Sequence, residues 1–156
     1  MGVLKGFAAL GCASYEQLDD TMEFSPIDAV AKATVALSRT PEPCRIFHVI
    51  IDQYIPMMYI FREMGRMGHP VKYVEPEVFR EAFAKAQSNP KKAPQLISLM
   101  AYNHSEGERE RVLLSMSRKY TLQVLYRLGI AWPTTSWDYL RRFLDVLNGL
   151  GFFDEV

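Results

Sequence analysis

The chain has 156 residues, 49% of them apolar, with 18 lysines and arginines against 18 aspartates and glutamates. That length and balance describe one soluble globular domain and argue against a disordered segment or a polyanion binder, so nucleic acid is not an expected partner. Apolar stretches such as Val49 to Ile51 and Ile55 to Phe61 stop at Asp52, Gln53 or Arg62, far short of the ~20 residues a bilayer span needs, so no membrane partner is expected. Met1-Gly2-Val3-Leu4-Lys5 lacks the basic start and apolar run of a secretory signal, and Cys12 and Cys44 are too few for a disulfide scaffold. Together they point to a reducing cytoplasm.

In chain order, Phe7 to Leu18 reads as a helix end and an irregular connection, with Gly6 and Gly11 flanking a weak pattern. Met22 to Ile27 is a short extended segment. Asp28 then opens a helix in which Ile27, Val30, Ala31, Thr34 and Leu37 recur at helical spacing, and Thr40-Pro41-Glu42-Pro43 ends it. Arg45 to Ile51 is rich in β-branched and aromatic residues between prolines and Asp52, the pattern of a buried strand. A helix follows, with Met57, Ile60, Phe61 and Met64 on one stripe, Pro56 in its first turn, and Gly65 and Gly68 near its end. Met58 lies off that stripe and faces solvent or another surface.

Val71 to Val74 is a second short strand, and Pro76-Glu77 opens a helix whose stripe is Phe79, Ala82, Phe83 and Ala86, closed by Asn89-Pro90. Pro94 to Tyr102 is a helix through Leu96, Leu99 and Met100, and Asn103 to Arg111 is a polar exposed loop. Thr121 to Leu128 is a helix that Gly129 stops in a left-handed conformation. Ser136 caps the last helix, with Leu140, Phe143, Leu144 and Leu147 on its apolar stripe. The fold class is α/β and mostly helical: one domain over 1–156, with short strands and helices in an α/β part at 1–90 and a helical part at 91–156.

Catalytic patterns are missing. None of the eight tyrosines has a lysine four residues on, no Gly-x-Gly-x-x-Gly turn joins a strand to a helix, and no Gly-x-Ser-x-Gly elbow occurs. His48, His69 and His104 lie far apart with no paired cysteines at metal-ligand spacing, so no metal is expected. A histidine inside an apolar run such as His48 is ordinarily hydrogen-bonded within the core, and methionines such as Met57, Met58, Met64 and Met67 either fill a core or line an adaptable pocket. No residue here is assigned a catalytic or cofactor-binding role.

Glu23-Phe24-Ser25-Pro26-Ile27-Asp28-Ala29-Val30-Ala31-Lys32-Ala33 resembles the "SPVD-x-VA-x-A" stretch of thioester reductases within the extended short-chain dehydrogenases. Arg45-Ile46-Phe47-His48-Val49 is similar to the family's next strand, and Met64-Gly65-Arg66-Met67-Gly68-His69-Pro70-Val71 to its "GYPV" turn. Thr121-Leu122-Gln123-Val124-Leu125-Tyr126-Arg127-Leu128-Gly129-Ile130-Ala131-Trp132-Pro133 resembles "TL-x-x-L-x-x-LG-x-x-WP", and Tyr139-Leu140 matches its last helix. These motifs span nearly the whole chain, in the family's order. The part resembled is the C-terminal, substrate-binding part of the terminal thioester reductase domain of a nonribosomal peptide synthetase.

The resemblance implies a two-part oxidoreductase. An upstream Rossmann half, absent from this chain, binds NADPH and carries the catalytic threonine or serine, tyrosine and lysine, while the smaller half shapes the acyl pocket. A peptide held as a phosphopantetheine thioester on a peptidyl carrier domain is reduced to an aldehyde or alcohol and so released. On this view Ser25, Pro26, Asp28, Tyr54, Met57 and Met58 are the substrate-binding candidates, with Asp28 equally suited to accept hydrogen bonds at a helix N-terminus. The partners implied are the Rossmann half and the carrier domain. Carrier domains of this kind are acidic, and Arg80, Lys85, Lys91 and Lys92 stand against Glu81 alone between positions 80 and 92, a docking patch or an ordinary solvated helix surface. Two other readings remain: a non-enzymatic carrier-docking or protein-interaction module, and a helix-turn-helix regulator built around Trp132-Pro133 with Arg118, Lys119 and Arg127. Against the regulator, Arg141 and Arg142 in the last helix region face Asp138, Asp145, Asp154 and Glu155, a balance that phosphate would repel.

Overall fold

A computed structural model describes residues 2–41, 43, 46–50, 54–106 and 117–154. Seven α-helices and four three-residue strands occur among these residues, and the mostly helical α/β class holds. The chain divides into two compact units that interleave along the sequence. The larger takes Met1–Met22, Ile55–Val112 and Trp137–Val156; the smaller takes Glu23–Tyr54 and Leu113–Ser136.

The larger unit begins with α1 (Gly2–Leu10), which packs on α5 (Ala93–Glu106). The pair can approach closely because α1 presents glycine to its partner: a Cβ built on Gly6 would lie 2.8 Å from the Leu99 Cβ. Leu4 and Phe7 of α1 and Leu96 and Leu99 of α5 are wholly buried, and each such side chain contributes roughly 1.5–3 kcal/mol through the apolar area it removes from water. Next come β1 (Cys12–Ser14) and a 3-10 turn at Tyr15–Gln17. β1 pairs in parallel with β4 (Lys72–Val74), Ala13 opposite Tyr73. α4 (Pro76–Gln87) lies against β1, with Pro76 in its first turn.

α3 (Met57–Arg66) buries the stripe its sequence announces, Met57, Ile60, Phe61 and Met64, and Phe61 meets the Phe7 ring edge-on at 4.9 Å. Pro56 stands before the helix as its N-cap, and Asp20 supplies a main-chain acceptor for the Met57 N–H at 2.8 Å. At the other end Gly68, at φ +95°, lets the His69 N–H reach back to the Met64 carbonyl at 3.0 Å and the Gly68 N–H to the Gly65 carbonyl at 3.2 Å. α7 (Trp137–Gly149) follows Ser136 directly, packs on α3, and buries Leu140 and Leu144.

In the smaller unit, α2 (Ile27–Ser38) and α6 (Lys119–Arg127) pack through Ala33, Leu37, Val124 and Leu125, with Phe47, Val49, Tyr120, Ile130 and Trp132 against them. β2 (Thr21–Glu23) and β3 (Tyr54–Pro56) form the second two-stranded sheet, and the chain leaves and re-enters the larger unit within them.

Several sequence expectations are corrected. The strand expected over Arg45 to Ile51 is not formed at residues 46–50; positions 45 and 51 lie outside the described residues. Two of its backbone groups bond to side chains: the His48 N–H donates to Thr121 Oγ1 at 3.0 Å, and Arg118 donates to the Ile50 carbonyl at 3.3 Å. β1 appears where an irregular connection was expected, and α1 already starts at Gly2. The expected loop from Asn103 is helical as far as Glu106, and 107–111 lie outside the described residues. In α2 the inward residues are Ala33 and Leu37, whereas Ile27 is 80% exposed and Ala31 and Thr34 also face outward.

Candidate functional site

The substrate-binding candidates fall in both units. In the smaller unit, the Ser25 hydroxyl donates to the Glu23 carboxylate, so the serine is held by its own approach segment. Pro26 occupies the N-cap position of α2 with φ −60°, which aims the chain into the helix but offers no side-chain acceptor. Asp28 sits exposed in the first turn, and no side chain caps α2. The expected capping bond is therefore not made, and Asp28 acts on the helix only through its charge. Tyr54, in β3, is 51% exposed.

In the larger unit, Met57 is wholly buried and fills the core beside Ile60 and Met64, so it offers no surface to a ligand. Met58 points outward at 46% exposure. One turn further along the same side of α3 stands Arg62, whose guanidinium lies 5.2 Å from the Tyr59 ring and 5.7 Å from the Trp137 ring. The two rings meet edge-on at 4.5 Å. The sequence offered one hint of this platform, the i, i+3 spacing of Tyr59 and Arg62; nothing in it announced Trp137, 78 positions on from Tyr59.

Next to Arg62 in α3, Glu63 is 4% exposed and binds two further arginines: Arg66 Nε donates at 2.9 Å and Arg141 Nε at 3.3 Å. Arg66 also pairs with Asp145 at 2.8 Å. The hydrogen bonds from Arg141 and Arg66 hold the Glu63 carboxyl below its ordinary value and outweigh the opposing effect of burial. An acid fixed in its charged form between two arginines joins α3 to α7 and is unsuited to proton transfer. Burial pushes the Cys12 thiol and the Tyr73 phenol up, so neither is an activated nucleophile or base at neutral pH. His69, bonded to Asn148 at 2.9 Å and tilted against the Phe153 ring at 4.9 Å, ties the turn after α3 to the end of α7.

The four basic residues of the expected docking patch have different fates. Lys85 and Lys91 are exposed on α4 and just before α5. Arg80 is exposed and paired with Glu77 at 2.7 Å. Lys92, by contrast, is half-buried and donates its ammonium to the Ala9 carbonyl at 2.9 Å, closing the C-terminal end of α1. Its charge is used inside the fold, which sequence spacing had no means to reveal. A groove of about 470 Å³ also lies on α6, beside Tyr120, Gln123, Tyr126 and Arg127, with Tyr126 84% exposed. Among the described residues no group of three histidine, cysteine, aspartate or glutamate side chains is placed to hold a metal ion, and no helix is long and apolar enough to cross a membrane.

No family model matches the chain, and no curated protein does. Solved structures do. A thiolation-reductase di-domain from an archaeal non-ribosomal peptide synthetase matches with a TM-score of 0.74 and 27% identity, over 97% of this chain and 31% of that one. The terminal R domain of the myxalamid PKS-NRPS pathway matches at 0.73 and 22% identity, over 97% and 38%. The reductase domain of the aureusimine biosynthetic cluster matches at 0.65 and 20% identity, over 96% and 37%. The chain is thus a small, mostly helical α/β subdomain of the kind found in biosynthetic reductases. It spans about a third of the length of the structures it matches, and fits the C-terminal part of a terminal reductase domain of a nonribosomal peptide synthetase.

Proposed function

We propose that this chain is the substrate- and carrier-facing subdomain of an NADPH-dependent thioester reductase, which releases a carrier-bound peptide as an aldehyde or alcohol. The observation that carries this reading is the match of 97% of the chain, at 27% identity, to a structure in which a thiolation domain and a reductase domain occur together. The chemistry of the chain's own residues is consistent with it. Glu63 is locked between arginines, and Cys12 and Tyr73 are held neutral. What the chain offers instead is exposed surface suited to binding: the aromatic platform of Tyr59, Arg62 and Trp137, and exposed cations at Arg80, Lys85 and Lys91. NADPH would be held by the upstream half, and this chain alone would be inactive. Its setting would be the cytoplasm.

Because Lys92 is tied to Ala9, the docking cations reduce to Lys85, Lys91 and Arg80. In a reductase that joins this chain to its nucleotide-binding half, Lys85→Glu with Lys91→Glu should slow reduction of a carrier-bound thioester while sparing a small soluble thioester. The loss should shrink as salt rises, since exposed charges are screened beyond about 10 Å at 0.1 M salt. Equal loss on both substrates, or loss on neither, refutes docking at this face.

A further inference from the structure

A second site lies in the larger unit, and of the substrate-binding and docking candidates named from the sequence only Arg80 belongs to it. It is a cleft of about 320 Å³ between the 3-10 turn after β1, the start of α4 and α5, near the lower end of the ~300–1,000 Å³ typical of ligand pockets. Ser14 and Gln17 form its floor and are each only 3% exposed. Their orientations are fixed by hydrogen bonds. The Ser14 N–H donates to Gln17 Oε1 at 2.9 Å, the Glu16 N–H to Ser14 Oγ at 3.2 Å, and Gln17 Nε2 to Asn103 Oδ1 at 3.2 Å.

That network consumes the acceptors and leaves donors over. Beyond these bonds the Ser14 hydroxyl and the Gln17 and Asn103 amide groups donate to no other described residue, and all three residues line the cleft. Donors that line a cleft are met by water or by a ligand. One wall is apolar, formed by the Phe79 ring and Pro76, and the rim carries Glu16 and Arg80. Arg80 is already engaged by Glu77. With Glu16 and Glu77 nearby, a free anion is disfavoured, and with the floor made of donors, so is a cation.

Neutral donors below, one carboxylate at the rim and a flat apolar wall suit a secondary amide: its carbonyl accepts from the floor, its N–H donates to Glu16, and its substituent lies on Phe79. We propose that this cleft binds an amide-bearing chain. Two sources share that chemistry, a peptide and the amide-containing pantetheine arm of a carrier. The choice of these sources rests on the proposed function; the affinity of the cleft does not.

The test uses the 15N-labelled chain, titrated separately with N-acetyl-alanyl-alanine N′-methylamide, pantetheine, acetate and inorganic phosphate. Millimolar, saturating shifts confined to the amides of Ser14 to Gln17, Val78 to Arg80 and the Asn103 side chain are expected with at least one amide probe. A response to the peptide alone assigns the peptide, a response to pantetheine alone assigns the arm, and a response to both assigns the shared amide. Glu16 is exposed, so Glu16→Ala should leave the fold intact and weaken binding about fivefold by removing a charged acceptor. Shifts with acetate or phosphate alone, no saturation with either amide probe, or unchanged affinity in Glu16→Ala overturn the assignment. Because binding is read on this chain without NADPH, a failure here is separable from a failure of reductase activity.

Discussion

Replacing Glu63 by glutamine removes a charge from between two arginines while keeping the side chain's size and one of its acceptor oxygens. Hydrogen bonds to charged groups are worth about 1.5–3 kcal/mol when dry. Arg66 and Arg141 are, however, 48% and 51% exposed, which draws their contribution toward the 0.2–1 kcal/mol typical of surface pairs. Relief from burying a charge offsets part of the loss as well. The net expectation is about 1–2 kcal/mol at pH 7, or a fall in melting temperature of roughly 2–8 °C at the ~2–4 °C per kcal/mol of a chain this size. The sign of the pH effect follows from the lowered carboxyl: its stabilisation is fully present above the unfolded value near 4.5 and is lost as pH falls through the lower folded value. The gap between wild type and Glu63→Gln should therefore be constant near neutrality and close in acid. Urea titrations at pH 7 and below pH 4 measure it, with Trp132→Phe in both proteins so that Trp137 of the larger unit is the sole tryptophan. A gap that is absent at pH 7, or that persists unchanged in acid, would refute the role given to the Glu63 cluster.

Other substitutions test the packing. Gly6→Ala should destabilise the larger unit, because a Cβ 2.8 Å from the Leu99 Cβ forces α1 off α5 at about 1–3 kcal/mol, more than the ~1 kcal/mol of helix propensity gained; Gly65→Ala, whose nearest neighbour would be 3.9 Å away, should be neutral or stabilising in the same melts. Lys92→Met should cost about 0.5–1.5 kcal/mol by leaving the Ala9 carbonyl without its donor, whereas Lys91→Met should stay within about 0.5 kcal/mol, a difference that denaturant titration resolves. Gly129→Ala should cost about 1–2 kcal/mol, since Gly129 holds φ +69° while the Ile130 N–H closes back on the Leu125 carbonyl. Trp132 fluorescence reports that loss in the smaller unit.

The helices were legible where one apolar stripe stood alone. In α3 and α7 the stripes Met57, Ile60, Phe61, Met64 and Leu140, Leu144 are the buried apolar residues, because arginines and aspartates mark the other faces; Glu63 of α3 is buried as well, a fact its charge conceals in the sequence. In α2, a run of alanines and valines nearly all round permits more than one stripe, and the residues chosen by spacing included the exposed Ile27. The run around Phe47 carried strand composition, yet the His48 N–H and the Ile50 carbonyl bond to the side chains of Thr121 and Arg118, 73 and 68 positions distant. Conversely β1, a three-residue Cys-Ala-Ser segment, is too short to show alternation and exists through its pairing with β4. Site residues were harder for the same reason. Lys92 and Lys91 are indistinguishable in sequence and separate only when α1 ends beside one of them. The order of family motifs was legible throughout, and the reductase structures match 96–97% of the chain.

The most direct test of the central claim compares three proteins: this chain alone, a nucleotide-binding half of a thioester reductase alone, and the two joined in one polypeptide. Each is given NADPH and a carrier domain bearing a peptidyl thioester, and NADPH oxidation is followed together with the released product. The account predicts aldehyde or alcohol release by the joined protein only, with no NADPH turnover or tight NADPH binding by this chain alone. Turnover by this chain alone, or an equal rate from the nucleotide-binding half without it, would contradict the account.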